Sequence, residues 1–236
     1  MSDPALLDAK QLMRLHVQAL FTCDDQGRLV AVNQPGGAVA PRFFLGRTAI
    51  GNLWWFRHDL DDGLTDELAS LFESQPPGLD PGNDSAVSAF AACLSRVEPV
   101  RNTWAGPAFH IPLGGVDSQT AVRVTPANAS VLSPLFEDWR PDVEAGVPMA
   151  AILKDRQAVS VCCSVRLTQR AHEAGVETHP EYRGRGYAGQ AVRAWAQAVR
   201  ELDRVPLYST SWDNVASRAV AKALGLIQFG ADLHLT

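Results

Sequence analysis

The sequence predicts an α+β (mixed α/β) fold: a C-terminal half built on a central mixed sheet flanked by helices, preceded by an N-terminal α/β extension. Three observations predict it. Apolar residues make up 46% and charged residues 20% of the 236, the balance of a chain that buries a core. Runs of strand-like and of helical periodicity share the chain and are punctuated at Gly and Pro. After Gly115 the order reads β-α-β-β-β-α-β-α-β, with three successive strands joined by short turns.

The elements are justified in order. A helix starts at Ser2-Asp3-Pro4, since proline is tolerated in a first turn, and Leu6, Met13, Val17 and Leu20 repeat along it at helical spacing. The turn Asp24-Asp25-Gln26-Gly27 leads to the apolar run Leu29 to Val32, and Asn33 to Pro41, rich in Gly and Pro, is a loop. Strand-like runs cover Arg42 to Arg47 and Asn52 to His58, and a helix covers Leu64 to Phe72. Past the breakers Pro76 to Asn83, a helix spans Ser85 to Arg96, Thr103 to Pro112 is extended, and Gly114-Gly115 ends this half. Thr120 to Val124 is a strand, and Thr125 caps a helix with Pro126 in its first turn that runs to about Trp139. Met149 to Leu153 and Ala158 to Leu167 are strands around the turn Lys154 to Gln157, and Ala171 to Thr178 is a third. Arg185 to Leu202 is a helix with Ala188, Val192, Trp195, Val199 and Leu202 on one face. Pro206 to Ser211 is a strand, Asn214 to Leu224 a helix closed by Gly225, and Ile227 to Leu235 the last strand. The organisation is thus 1–118, an α/β region of unknown role, and 119–236, the domain that carries the chemistry.

Bulk properties exclude several classes. A net charge of −5 argues against nucleic acid and against an anionic membrane surface as partners. No apolar run approaches the roughly 20 residues that span a bilayer. Asp3, Asp8, Lys10, Arg14 and His16 interrupt any signal-peptide core. Cys23, Cys93, Cys162 and Cys163 form neither a disulfide framework nor a metal pattern, so no metal is expected and a reducing cytoplasm fits best. Cys162 and Cys163, adjacent on a strand, point to opposite faces.

The segment Val176-Glu177-Thr178-His179-Pro180-Glu181-Tyr182-Arg183-Gly184-Arg185-Gly186-Tyr187-Ala188 concentrates the chemistry. It is a strand, a glycine-bearing turn and a helix start. Glycines let backbone approach a ligand, and the first N–H groups of a helix lack internal partners and carry its positive dipole end. Together they suit a pyrophosphate. A P-loop reading fails because Tyr187 follows Gly186 where Lys and Ser or Thr are required. The spacing Gly184-x-Gly186-x-x-Gly189, with Asp203 beyond, admits a dinucleotide fingerprint, but three strands joined by short turns before it do not suit that fold.

Arg183-x-x-Gly186-x-Ala188 resembles the acetyl-CoA signature of the GNAT superfamily of N-acetyltransferases. Pro180 to Gly184 is similar to its usual lead-in, Asn214 with Gly225-Leu226 to its second conserved helix, and Ala121 to Pro126 to its opening strand and helix. The resemblance implies a GNAT-like sheet in which the strands Ala171 to Thr178 and Pro206 to Ser211 splay apart to admit acetyl-CoA. It implies that backbone from Arg183 through Gly184, Arg185, Gly186 and Tyr187 to Ala188 holds the pyrophosphate. It further implies that Val176, Glu177 and Thr178 line the pantetheine, and that Asn214 and Ser217 contact the cofactor. The reaction implied is direct attack of an amine on the thioester; a small amine, an amino acid, an antibiotic and a protein N-terminus or lysine are all open as acceptors, and an N-terminal half that covers the acceptor side would restrict it to a small molecule. Glu173 and Glu177, four apart on one strand, are the candidate bases. Many relatives place a tyrosine acid where this chain has Ala221, so Tyr208 and Ser211, with Ser209, are the candidates for that role. The same departure keeps open a non-catalytic acyl-CoA-binding module. A homodimer is compatible with either reading.

In the N-terminal half, Arg42, Arg47 and Arg57 lie among Phe43, Phe44, Trp54, Trp55 and Phe56. That pattern is either an acceptor surface or core aromatics with solvated arginines. His58 and His179 stand isolated.

Overall fold

The computed structural model describes residues 7–80, 82–113 and 121–236. The predicted helix start at Ser2 to Pro4, Leu6, Gly114-Gly115, Thr120 and the division at 118–119 lie outside them. The elements run α1 (Ala9–Leu20), β1 (Phe21–Cys23), β2 (Leu29–Val32), β3 (Phe43–Arg47), β4 (Leu53–Phe56), α2 (Asp62–Glu73), α3 (Asp84–Ser95), β5 (Thr103–His110) and β6 (Ala121–Val124). They continue with α4 (Arg140–Glu144), β7 (Met149–Lys154), β8 (Gln157–Leu167), β9 (Ala171–Thr178), α5 (Tyr187–Arg200), β10 (Val205–Ser209), α6 (Val215–Leu224) and β11 (Ile227–Leu235). Of the described residues, 7–110 with 209–215 and 227–236 form one compact unit, and 111–208 with 216–226 another.

In the first unit, α1 opens at Asp8 with a reciprocal cap: Gln11 N–H donates to Asp8 Oδ1 (2.8 Å) and Asp8 N–H to Gln11 Oε1 (2.9 Å). Strands β1 and β2 form a hairpin. The sheet has the order β4-β3-β11-β5 and is antiparallel throughout. Alternation puts Phe43, Leu45, Leu233 and Leu235 on one face, where they meet Leu64, Leu68 and Phe72 of α2 and Phe90 and Leu94 of α3. Each such side chain contributes about 1.5–3 kcal/mol by leaving water. Against β11, α1 inserts Met13 where Gly46 and Gly230 have no side chain to oppose it.

The second unit contains the expected mixed sheet flanked by helices, in the order β10-β9-β8-β7-β6. Strand β10 is parallel to β9, and the other pairs are antiparallel. The β7–β8 turn places Asp155 and Arg156 at φ 49° and 66°, the left-handed pair that a tight hairpin demands. One face of the sheet receives α5, whose Ala191, Val192, Trp195 and Val199 are buried. On the other, Val124, Met149, Ala151, Val161 and Cys163 join Ala129, Leu132, Phe136 and Val143.

Two expectations are corrected. The helix from Thr125 to Trp139 is instead a 3-10 turn at Pro126–Leu132, a second at Glu137–Trp139, and then α4. Pro134 forces the break, because the residue before a proline is driven out of helical geometry, and Ser133 has ψ 143°. Leu202 is exposed rather than on the buried face, because α5 ends at Arg200. Cys162 and Cys163 are buried free thiols, and Cys23 is exposed. Burial pushes the Cys162 thiol well above its usual value and that of Cys163 up to about 12, the latter with help from Asp142.

Candidate active site

The site begins where two parallel strands part. β10 and β9 pair from Val205↔Ala171 through Leu207↔Glu173, and there the pairing ends. From Ala174 to Thr178, β9 keeps β8 on one side, with Val176 opposite Cys162, Glu177 opposite Val161 and Thr178 opposite Ser160. On its other side it has no strand partner, while β10 runs on through Tyr208 and Ser209. Ser160 Oγ anchors the free end of β9: it donates to Glu177 O (3.1 Å) and lies 2.8 Å from Thr178 Oγ1.

Beyond β9 the chain is turned back by His179 N–H to Val159 O (3.0 Å) and a 3-10 turn at Pro180–Tyr182. Arg183 Nε donates to Thr178 O (3.1 Å), bracing the loop against the strand end. Gly184 and Gly186 stand at φ +74° and +78°, a region glycine enters without strain, and no atom lies within 4 Å of where their side chains would be. Helix α5 then starts at Tyr187 with no side-chain cap, and its first backbone bond is Gln190 N–H to Gly186 O (3.3 Å). Among the described residues, the N–H groups of Gly184 through Gly189 make no hydrogen bond. They form a consecutive run of donors at the positive end of a helix.

Sequence reasoning included Arg183 in that run, but its N–H is taken by Pro180 O (3.3 Å). It also missed Lys154, whose Nζ sits 5.3 Å from the centre of the Tyr187 ring. The signal was present, since Lys154 ends β7 beside the start of β8, and β8 begins where β9 finishes. The Arg185 guanidinium lies 5.4 Å from the Tyr182 ring centre, so the turn has a cationic rim.

The two candidate bases have different surroundings. The register shift between β8 and β9 falls at Ser164/Arg166 of β8, so β9 keeps its alternation from Glu173 to Glu177. Glu173 is 2% exposed, in register with Arg166 on one side and Leu207 on the other. Glu177 is exposed, and its Oε2 accepts a hydrogen bond from Trp139 Nε1 at 2.8 Å. Gly175 lies between them. A side chain there would strike Val165 and come within 3.3 Å of Trp139 Cη2, so glycine lets both pack onto the strand. Trp139 also escaped the sequence reading as a partner of Glu177, because the broken 3-10 path that delivers it has no periodicity to read.

Tyr208 is the first β10 residue past the last β9 pair. It is 1% exposed, and its hydroxyl lies 2.6 Å from Ser217 Oγ of α6. Burial, outweighing the Ser217 bond, pushes its phenol up from the usual range. Ala221, a turn further along α6, is buried. Ser211 and Asn214 fall in the 209–215 segment, which groups with the first unit. There Thr210 N–H donates to Pro107 O and Trp212 N–H to Ala105 O, and Gly106 leaves room for the Thr210 carbonyl. Asn214 N–H donates to Ser211 O (3.2 Å) at the start of α6.

Part of the basic and aromatic stretch of the first unit is built into its interior, while Trp54, Trp55, Phe56 and Arg57 are half-buried. Arg42 Nη1 donates to Leu94 O and Glu98 O, Arg47 to Asp80, and Phe43 and Phe44 are fully buried. Arg57 Nε donates to Asp59.

Residues 132–230 match the family model described as GNAT acetyltransferase. No curated protein matches the chain. The fold is similar to that of an acetyltransferase from the GNAT family from Colwellia psychrerythraea, with a TM-score of 0.51 at 10% identity, covering 100% of this chain and 97% of that one. A GNAT-family protein from Novosphingobium aromaticivorans aligns at TM-score 0.48 and 18% identity over 58% of this chain, and the match spans 65% of that protein's length. An aminoglycoside N-acetyltransferase in complex with CoA aligns at TM-score 0.36 and 18% identity, over 46% of this chain and 92% of that one.

Proposed function

We propose that the GNAT acetyltransferase domain at residues 132–230 moves an acetyl group from acetyl-CoA to a small-molecule amine bound alongside it. The observation that carries this reading is the parting of β9 and β10 beyond Leu207↔Glu173, beside the unbonded N–H groups of Gly184 to Gly189. The residues present fit acetyl-CoA: open backbone for an extended amide-bearing arm, and a row of donors with Arg185 and Lys154 for a pyrophosphate. Bound there, acetyl-CoA supplies an activated thioester carbonyl.

The chain's own groups divide the remaining work. Val176, Glu177 and Thr178 offer backbone along the opening, with Ser217 as a further contact. An alkylamine has a pKa of roughly 10 and arrives protonated at neutral pH, so a base is needed. Glu177, exposed at the open end of β9, takes that proton, while Glu173 is buried beside Arg166. Tyr208, a phenol protonated at neutral pH, holds a proton for the departing thiolate. The absence of disulfides among the four cysteines supports a cytoplasmic setting.

One observation favours a second reading, an acyl-CoA-binding module without turnover. The α6 position facing the role of proton donor is the buried methyl of Ala221. Thermal unfolding with acetyl-CoA, against NAD and ATP, followed by CoA release over an amine panel, separates the two. Acetyl-CoA at 100 times its dissociation constant should stabilise the fold by about 2.7 kcal/mol. A shift without CoA release from any amine would leave the binding module; no shift would end both readings.

A further inference from the structure

The hydrogen bond between Trp139 and Glu177 joins two segments far apart in the chain, and nothing in the sequence pattern announces it. Trp139 arrives on a short 3-10 turn between Phe136, buried in the core, and α4, whose Val143 is buried in the same cluster. Its ring packs on that cluster and over Gly175, so the indole is held at both ends. Its N–H has one direction left, and it points at Glu177 Oε2, 2.8 Å away. The other carboxylate oxygen, Oε1, has no hydrogen-bond partner among the described residues.

We propose that Trp139 is the positioning residue for Glu177: it holds Oε2 and thereby presents Oε1 as the oxygen that receives the amine's proton. The inference rests on the acetyl-transfer reading. A carboxylate on an exposed strand end otherwise samples several side-chain rotamers, and a fixed geometry is what makes a base effective. An indole N–H is suited to the task because it donates and never accepts, so it cannot take the proton itself. The backbone beneath is fixed as well, since Ser160 Oγ holds the Glu177 carbonyl. Gly175 is the enabling residue, because a side chain there would strike Val165 and crowd the edge of the indole.

The test uses the full chain with Trp139→Phe, Glu177→Gln and the double variant. Phenylalanine keeps an aromatic ring over Gly175 and deletes the N–H. The expected result is a kcat about tenfold lower for Trp139→Phe, with the KM for acetyl-CoA and its thermal shift within about twofold of the parent. In the Glu177→Gln background the same substitution should lower kcat no further. An unchanged kcat in Trp139→Phe, or an equal loss in both backgrounds, overturns the proposal. A second measurement needs no acceptor: the Trp139 indole N–H resonance should move on Glu177→Ala, and a resonance that stays put removes the contact itself. A parent protein that releases CoA with no amine while that resonance moves would sink the acetyl-transfer reading and the assigned role, leaving the contact in place.

Discussion

The hydroxyls of Tyr208 and Ser217 lie 2.6 Å apart, tying the end of β10, where it leaves β9, to the first turn of α6. Burial holds the phenol neutral well into the alkaline range. Replacing Tyr208 by Phe should therefore cost about 1 kcal/mol of stability for the lost bond. It should also lower kcat about tenfold, a modest effect because a thiolate leaves readily, with the acetyl-CoA KM unchanged. Steady-state kinetics with a urea melt would check both. A variant less stable but fully active would give Tyr208 a structural role alone.

Glu177 and Glu173 should separate cleanly. Glu177→Gln is expected to lower kcat by about 100-fold or more while leaving acetyl-CoA affinity intact. Glu173→Gln acts on the fold, since it removes a buried carboxylate beside Arg166, and on the order of 1 kcal/mol of stability should go with it. Paired rate and denaturation measurements on both variants decide the matter, and the reverse pattern would make Glu173 the base.

Gly186→Ala tests the turn without crowding it, since the space around that position is open. The penalty comes from φ +78°, about 1–2 kcal/mol for an L-residue. To relieve it the turn must reorient its N–H groups, so the thermal shift produced by acetyl-CoA should shrink or vanish. An undiminished shift would show that these N–H groups do not hold the ligand.

Stability should fall in mild acid. His172 is buried, its Nδ1 is 2.9 Å from Ser164 Oγ, and that oxygen accepts from Trp195 Nε1 (2.9 Å). Burial first, then the charge of Arg204, pulls the imidazole pKa below its usual 6.5. The unfolded chain therefore takes up this proton before the folded one does. The contribution is complete above pH 6.5 and is lost as pH falls through the depressed folded value. Urea midpoints measured from about pH 8 down to about pH 5 should show the fall, and His172→Gln should flatten it. An equally steep fall in the variant would assign the effect elsewhere.

Much of this could be read in the chain because local signals agreed with the final packing. The glycine turn, the Gly225 cap and the three strands from Met149 to Thr178 are each specified by neighbours in sequence, and they form as read. What escaped depends on contacts between distant segments. Thr125-Pro126 is a sound helix opening, but Pro134 undoes it before a helix can propagate. Glu173 and Glu177 share a face at a spacing of four, and sequence favours Glu177 only as the one nearer the strand end and the glycine turn; the mates supplied by β8, β10 and the Trp139 turn are what set their surroundings apart. Likewise, Arg42 and Arg47 read as surface cations until the carbonyls of Leu94, Glu98 and Asp80 are seen around them.

Strand β11 has β3 on one side and β5 on the other, and both of these neighbours precede residue 111. A ribosome making this protein releases β3, β4 and β5 long before β11 exists. For the whole interval in which residues 111–226 are synthesised, β3 and β5 must wait with a missing neighbour between them. The unit begun earliest is thus closed late, and its exposed edges are where nascent chains would meet a chaperone or one another.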